Sequence, residues 1–261
     1  MSKLGERTYG LIGYPLIHSF SRTYFNQKFE AENINARYEN FEIPSIDVLP
    51  SLLESHPAIA GMNVTIPYKE KVIPYLDDID PLAARAGAVN VIKIIPGKKG
   101  KLLDNKRLVG CNSDVAGFTD SIRPLINDDR RKALVLGTGG ASKAVCVGLD
   151  MLDVKPQLVS RTKRPGMLTY DELTLELMAE YKVIVNTTPL GMYPHMDEAP
   201  NIPYEALTPA HLCYDLLYNP DVTLFMRKAA EHGAEVKNGL EMLLLQAFLS
   251  WEIWNSNEGA Y

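Results

Sequence analysis

The sequence predicts an α/β protein of two domains: an N-terminal α/β domain with a mixed sheet, then a C-terminal domain that receives a dinucleotide. Three observations carry this. Strand-like and helix-like segments alternate from residue 8 to residue 54, the pattern of parallel strands joined by crossover helices. An apolar run at residues 133–136 drops into Gly137, Gly139 and Gly140 and then into an apolar, helix-like segment. The closing segment, residues 239–254, is apolar over more than half its circumference, and such a helix requires burial against more than one face of a sheet.

Taken in order, residues 8–12 read as a first strand, and residues 13–18 as the loop it delivers. Ser19, Phe20 and Ser21 open a helix through Glu32 with Tyr24, Phe25 and Phe29 on its apolar stripe. Ser19 and Ser21 read either as caps or as hydroxyl donors to a ligand carboxylate. Residues 37–41 give a second strand and residues 45–54 a second helix, opened by Ser45. Residues 61–69 read as a strand ending in polar groups. Ligands of open α/β sheets bind beyond the carboxyl ends of strands, which puts Asn63, Thr65 and Lys69 where chemistry is found. A lone lysine is more often an ordinary surface residue.

Residues 83–88 are helix-like and residues 89–95 strand-like. An exposed turn at 96–100 and a returning strand at 107–110 predict an antiparallel hairpin at the edge of the first sheet. Asn90, at the strand entrance, either bridges backbone groups or points at a ligand; spacing does not decide. Asp114 follows Asn112 and Ser113 and opens a helix to Ile126, as its cap or as a working carboxylate.

The polar run 127–132 precedes the glycine cluster. Glycine lets the backbone bend sharply and lets a phosphate approach the main chain, while the following helix offers unpaired N–H groups and the positive end of its dipole. The third position of the usual glycine pattern is Ser142 here, so this is either a dinucleotide turn or an ordinary strand-turn-helix corner. Residues 157–159 give the next strand, about 20 residues past the glycines, where a dinucleotide fold reads the adenosine ribose. In place of an acidic residue the chain has Ser160, Arg161, Thr162, Lys163 and Arg164. A guanidinium beside a hydroxyl holds a 2′-phosphate that a carboxylate would repel, so the loop favours NADP over NAD; the other reading is a solvated basic loop. Residues 171–181 read as helix and 183–186 as strand, with the loop 187–192 facing the nicotinamide half. Residues 195–209 are proline-rich and irregular, 212–215 are a strand ending at the loop 216–220, and 223–232 are a helix. Gln246, inside the last apolar helix, is a buried polar group in need of partners.

The 261 residues suffice for one large or two modest cores, and a net charge of −5 argues against a nucleic-acid binder. No apolar run reaches the roughly 20 residues that span a bilayer, and the first residues lack an apolar signal segment. Cys111, Cys146 and Cys213 are scattered in apolar contexts, which suits reduced thiols in a cytoplasm. His18, His56, His195, His211 and His232 show no ligand spacing, so no metal is expected.

Seven separated motifs together resemble the shikimate dehydrogenases over nearly the whole chain: Ile17-His-Ser-Phe-Ser21, Asn63-Val-Thr-Ile-Pro-Tyr-Lys69, Gly87-Ala-Val-Asn90, Asn112-Ser-Asp114, Gly137-Thr-Gly-Gly-Ala141, Asn186-Thr-Thr-Pro-Leu-Gly-Met192, and Gly239-Leu-Glu-Met-Leu243 with Gln246-Ala247. The resemblance implies reversible reduction of 3-dehydroshikimate to shikimate with NADPH, on the route to aromatic amino acids. It implies a substrate domain of residues 1–114 and 237–261, and an NADP-binding Rossmann domain of residues 115–236. Lys69 and Asp114 resemble the catalytic pair; Ser19 and Ser21 the pair that binds the substrate carboxylate; Thr65, Asn90, Tyr218 and Gln246 the groups on the ring hydroxyls or carboxylate. Gly137, Gly139, Gly140 and Ala141 correspond to the pyrophosphate turn, Ser160, Arg161 and Thr162 to the 2′-phosphate clamp, and Met192, Gly239 and Met242 to the nicotinamide surroundings. The expected partners are the small substrate and NADP(H), with no nucleic acid and no membrane, in a cytoplasmic monomer or homodimer. Arg22, Ser160, Pro165 and Val115 depart from the family pattern; none removes a catalytic group. A quinate/shikimate dehydrogenase that uses NAD and a non-catalytic binding homologue are the alternatives.

Overall fold

A computed structural model describes residues 5–16 and 19–256; Ile17 and His18 of the first motif lie outside the described residues. The chain divides into two compact units, Met1–Ser113 with Ala247–Tyr261, and Asp114–Gln246.

The first unit contains β1 (Arg7–Gly13), α1 (Phe20–Ala31), β2 (Ala36–Glu42), α2 (Leu49–Ser55), β3 (Ile59–Val64), β4 (Asp78–Ile79), α3 (Pro81–Ala86), β5 (Val91–Pro96) and β6 (Lys106–Cys111). Its sheet runs β2-β1-β3-β5-β6-β4. Pairing is parallel for β1 with β2 and with β3, and antiparallel for β3 with β5 and for β5 with β6, so the sheet is mixed. The predicted hairpin is β5–β6, but the two-residue β4 pairs parallel outside it, so the hairpin is not the edge.

Three boundaries differ from expectation, each for a local reason. The strand expected over 61–69 stops at Val64, because Pro67 cannot donate to a ladder; Lys69 sits in the turns that follow. The helix expected over 45–54 is a short 3₁₀ turn, Ile46–Val48, which Ser45 caps, followed by α2 with Pro50 in its first turn. Asp114 is the second residue of α4 (Ser113–Ile122) and therefore not its cap.

The second unit continues from α4 with β7 (Lys132–Leu136), α5 (Gly140–Asp150), β8 (Lys155–Ser160), β9 (Leu168–Thr169), α6 (Leu175–Glu180), β10 (Val183–Asn186), β11 (Leu212–Asp215), α7 (Leu224–Glu231) and β12 (Glu235–Lys237). Its sheet is wholly parallel in the order β12-β11-β10-β7-β8-β9. Counted within this unit, that is the doubly wound order 3-2-1-4-5-6, whose reversal lies between its first and fourth strands, here β7 and β10. The helix expected over 171–181 splits into a 3₁₀ turn, Tyr170–Glu172, and α6, each with its own threonine cap, Thr169 and Thr174.

The partition between the units falls inside α8 (Leu240–Asn255). In the first unit the end of this helix closes an aromatic cluster: Trp254 lies 4.8 Å from Tyr9 and 5.2 Å from Phe25, whose ring stacks on Tyr38 at 4.9 Å. Leu240, Leu244 and Phe248 of this helix stand exposed.

Trp254 leans on Gly61 of β3, where an added Cβ would collide with the indole, and its Nε1 donates to the Ile92 carbonyl at 3.1 Å. Gly61→Ala is therefore expected to lower stability by about 1–3 kcal/mol through overpacking, read from the urea unfolding midpoint; an unchanged midpoint would mean that Trp254 moves aside at no cost.

Candidate active site

In the first unit, Asn63 and Asn90 belong to one buried polar frame. Asn63 of β3 accepts from the Tyr38 hydroxyl at 2.7 Å, and its Nδ2 donates to the Ser250 hydroxyl at 3.0 Å and the Asn90 carbonyl at 3.3 Å. Asn90 clasps Ser113: its Oδ1 accepts the Ser113 N–H at 2.7 Å, and its Nδ2 donates to the Ser113 hydroxyl at 2.9 Å. The Ser113 and Ser250 hydroxyls meet at 3.2 Å. Asn90 thus bridges within the protein, which the sequence left open, and its Nδ2 carries a second hydrogen.

The turn after β3 is pinned at both ends. The Thr65 N–H donates to the Ile12 carbonyl at 2.9 Å, and the Lys69 carbonyl accepts the Val89 N–H at 2.7 Å. Between them, buried Tyr68 donates its hydroxyl to the Ile43 carbonyl at 2.6 Å. Lys69 is partly exposed at the end of this turn, whereas Asp114, next after Ser113, is only 7% exposed in the first turn of α4. Ser19 caps α1 by accepting the Arg22 N–H at 3.2 Å, and Ser21 lies near enough to the buried Tyr38 hydroxyl to offset part of the rise that burial gives it. Ser19 therefore has structural work as well as a candidate ligand role.

In the second unit, β7 delivers the glycine turn. Gly137 has φ +114°, and a Cβ there would stand 2.6 Å from the Thr187 hydroxyl oxygen; only glycine combines that torsion with so close a neighbour. At Gly139, the N-cap of α5, a Cβ would meet no protein atom within 4 Å. The main chain there is open to a ligand at the N-terminus of an 11-residue helix, which suits a pyrophosphate. Gly140 and Ala141 form the first turn of that helix, and buried Ser142 donates back to the Gly139 carbonyl at 2.7 Å.

Beyond β8, Ser160 is buried and its hydroxyl accepts the Thr162 N–H at 3.3 Å, while Arg161, Thr162 and Arg164 are exposed. Lys163 is committed elsewhere, paired with Glu172 at 2.5 Å. A surface cavity of about 540 Å³ is walled by Gln157 and residues 163–168. This open, basic edge has the cation and hydroxyl that a 2′-phosphate needs.

At the carboxyl ends of β10 and β11, Asn186 and Asp215 face each other in register. The Asp215 carboxylate accepts from Asn186 Nδ2 and the Leu217 N–H, both at 3.1 Å, and from the Thr223 hydroxyl at 2.6 Å. Asn186 Oδ1 in turn accepts the Thr188 N–H at 3.0 Å and its hydroxyl at 2.7 Å. Burial pushes the Asp215 carboxyl up to about 6. This pair was not among the sequence candidates, although the rule that singled out Asn63, a polar residue closing an apolar strand, applies equally to both.

Met192 and Tyr218 are exposed on the loops that follow. Gly239 is required by packing, since a Cβ would run into the Leu216 carbonyl, and its N–H donates to the Leu217 carbonyl at 2.9 Å. Met242 is 7% exposed and packs in the core with Phe118 and Tyr214. Gln246 donates to the Leu243 carbonyl of its own helix at 2.9 Å. Buried His211 bonds Thr208 and the Met178 carbonyl, and among the described residues no group of His, Cys, Asp or Glu is gathered to hold a metal. No helix among them is long and apolar enough to cross a membrane.

The family model described as "Shikimate dehydrogenase substrate binding domain" matches residues 11–92. The chain is 37% identical to a shikimate dehydrogenase (NADP(+)) of Carboxydothermus hydrogenoformans, over 94% of this chain and 90% of that one. It is 36% identical to the enzyme of the same name from Caldanaerobacter subterraneus subsp. tengcongensis, over 95% and 91%. Among solved structures, shikimate 5-dehydrogenase of Thermus thermophilus in complex with NADP(H) and shikimate matches with a TM-score of 0.81 at 30% identity, covering 95% of this chain and 93% of that one.

Asp215 supplies a pH test. Its folded carboxyl ionises near pH 6 and an unfolded one near 3.8, so the folded state holds the extra proton between those values. Stability is then expected to fall by up to about 3 kcal/mol as pH rises from about 4 to about 6, and to change no further above that. Asp215→Asn removes this slope; equal pH dependence of the two unfolding midpoints across the window would show that Asp215 is not the group responsible.

Proposed function

The chain belongs to the shikimate dehydrogenase (NADP+) family, and from that premise we propose how its residues divide the reduction of 3-dehydroshikimate to shikimate by NADPH. Lys69 and Asp114 are the catalytic pair. One observation supports this above the rest: the Lys69 carbonyl is bonded to Val89, the next residue, Asn90, clasps Ser113, and Asp114 follows in the chain. The backbones that carry Lys69 and Asp114 are thereby tied to the same hydrogen-bonded Asn90–Ser113 pair.

When bound, NADPH supplies the hydride. As the substrate ketone gathers negative charge on oxygen, the Lys69 ammonium donates a proton or stabilises that oxygen, and Asp114 orients the ammonium. Assistance of this kind is worth about 10²–10⁴ in rate. Ser19 and Ser21 bind the substrate carboxylate, and Thr65, Asn90, Tyr218 and Gln246 bind the ring hydroxyls or carboxylate. Gly137, Gly139, Gly140 and Ala141 receive the pyrophosphate, with Gly137 shaping the turn and Gly139 leaving it open. Ser160 holds the loop from which Arg161 and Thr162 clamp the 2′-phosphate, and Met192 and Gly239, backed by Met242, surround the nicotinamide. Residues 1–114 with 237–261 serve the substrate and 115–236 the cofactor. A cytoplasmic setting suits the three unpaired cysteines.

Lys69→Ala and Asp114→Asn are each expected to lower turnover by orders of magnitude while NADPH still binds; near-normal turnover in both rejects the pair. Arg161→Ala is expected to weaken NADPH far more than NADH in titrations, and equal losses would make the basic loop a solvated surface only.

A further inference from the structure

The mechanism above leaves unused the most completely buried carboxylate of the second unit that carries a hydrogen-bond network, Asp215. The network reaches in three directions. Through the Leu217 N–H it fixes the start of the loop that carries Tyr218, and through the Thr223 hydroxyl it fixes the N-terminus of α7, where Thr223 also accepts the Met226 N–H at 3.3 Å. Through Asn186 it reaches Thr188, whose hydroxyl accepts the Leu190 N–H at 3.3 Å, on the loop that carries Met192. The neighbouring Thr187 donates to the Leu136 carbonyl at 2.7 Å and abuts Gly137. The carboxylate itself is wholly shielded from solvent, so it acts through these loops and not on a ligand.

We propose that Asp215 is a positioning residue for hydride transfer, which sets the two loops bearing Met192 and Tyr218 relative to the glycine turn. The inference rests on the shikimate dehydrogenase reading and adds a residue to it. A carboxylate is suited to the task because it accepts all three bonds at once and donates none. Asparagine of the same shape keeps the bonds from Asn186 and Leu217 but turns N–H groups toward Thr223, whose own proton then lacks its acceptor. Misplacement of reacting groups by an ångström or less from such a change is enough to cost about a hundredfold in rate.

The experiment compares Asp215→Asn, Thr223→Val and Thr223→Ser in the full chain. It measures kcat and KM for shikimate with NADP+, the NADP+ dissociation constant by calorimetry, the thermal midpoint, and the isotope effect with shikimate deuterated at the reacting carbon. Asp215→Asn and Thr223→Val are expected to lose tenfold or more in kcat with NADP+ affinity within about twofold, and to show a larger isotope effect, because the hydride step becomes slower; Thr223→Ser, which keeps the hydroxyl, is expected to restore both. Wild-type kcat in a folded Asp215→Asn overturns the proposal. So does a parallel loss of kcat, NADP+ affinity and thermal midpoint with an unchanged isotope effect, which describes a structural defect alone. Should Asp215→Asn not fold, the threonine pair decides, and equal kcat in Thr223→Val and Thr223→Ser is again fatal. A wild type that oxidises no shikimate removes the proposed activity, and this role with it, whereas an active wild type with unaltered variants removes only this role.

Discussion

Two hydrogen bonds between the buried Asn90 side chain and Ser113, one donated and one accepted, are the constraint on which the first unit's polar frame depends. Asn90 is the residue after the Val89 whose N–H holds the Lys69 carbonyl, and Ser113 is the residue before Asp114. A neutral hydrogen bond contributes only about 0.5–1.5 kcal/mol net, yet stranding one buried partner costs about 1–3. Every amide and hydroxyl of the frame, from Tyr38 through Asn63 and Ser250 to Ser113, has a partner. Such a frame holds few alternative arrangements.

The second unit solves a similar problem with a different device. Three parallel strands end in one row, Leu136, Asn186 and Asp215, and the loops they release are tied together by side chains that close the strands. The glycine turn leans on Thr187, and Gly239 admits the backbone of Leu216. Close backbone approaches and polar strand ends therefore do jointly what either would do loosely.

Much of this was legible in the sequence because it follows from local chemistry. The glycine cluster, the strand periodicities and the basic loop in place of an acidic residue are readable without partners. Strand and helix ends were less so: Thr65 and Ile66 favour strand, and Pro67 was the signal that pairing stops at Val64. The support frames were not legible at all. Asn63 and Ser250 are 187 residues apart, Ser113 and Ser250 137, and Asn186 and Asp215 29, and nothing in spacing along the chain announces which buried amide will meet which hydroxyl. Lys163 shows the converse, a cation that the sequence offered to a phosphate and the fold gives to Glu172.

The most direct measurement offers the wild-type protein shikimate or quinate with NADP+ or NAD+, and follows the absorbance of the reduced nicotinamide. The account expects the combination of shikimate with NADP+ to be turned over with the highest kcat/KM. Equal or faster turnover of quinate or with NAD+, or no turnover in any of the four, would contradict it.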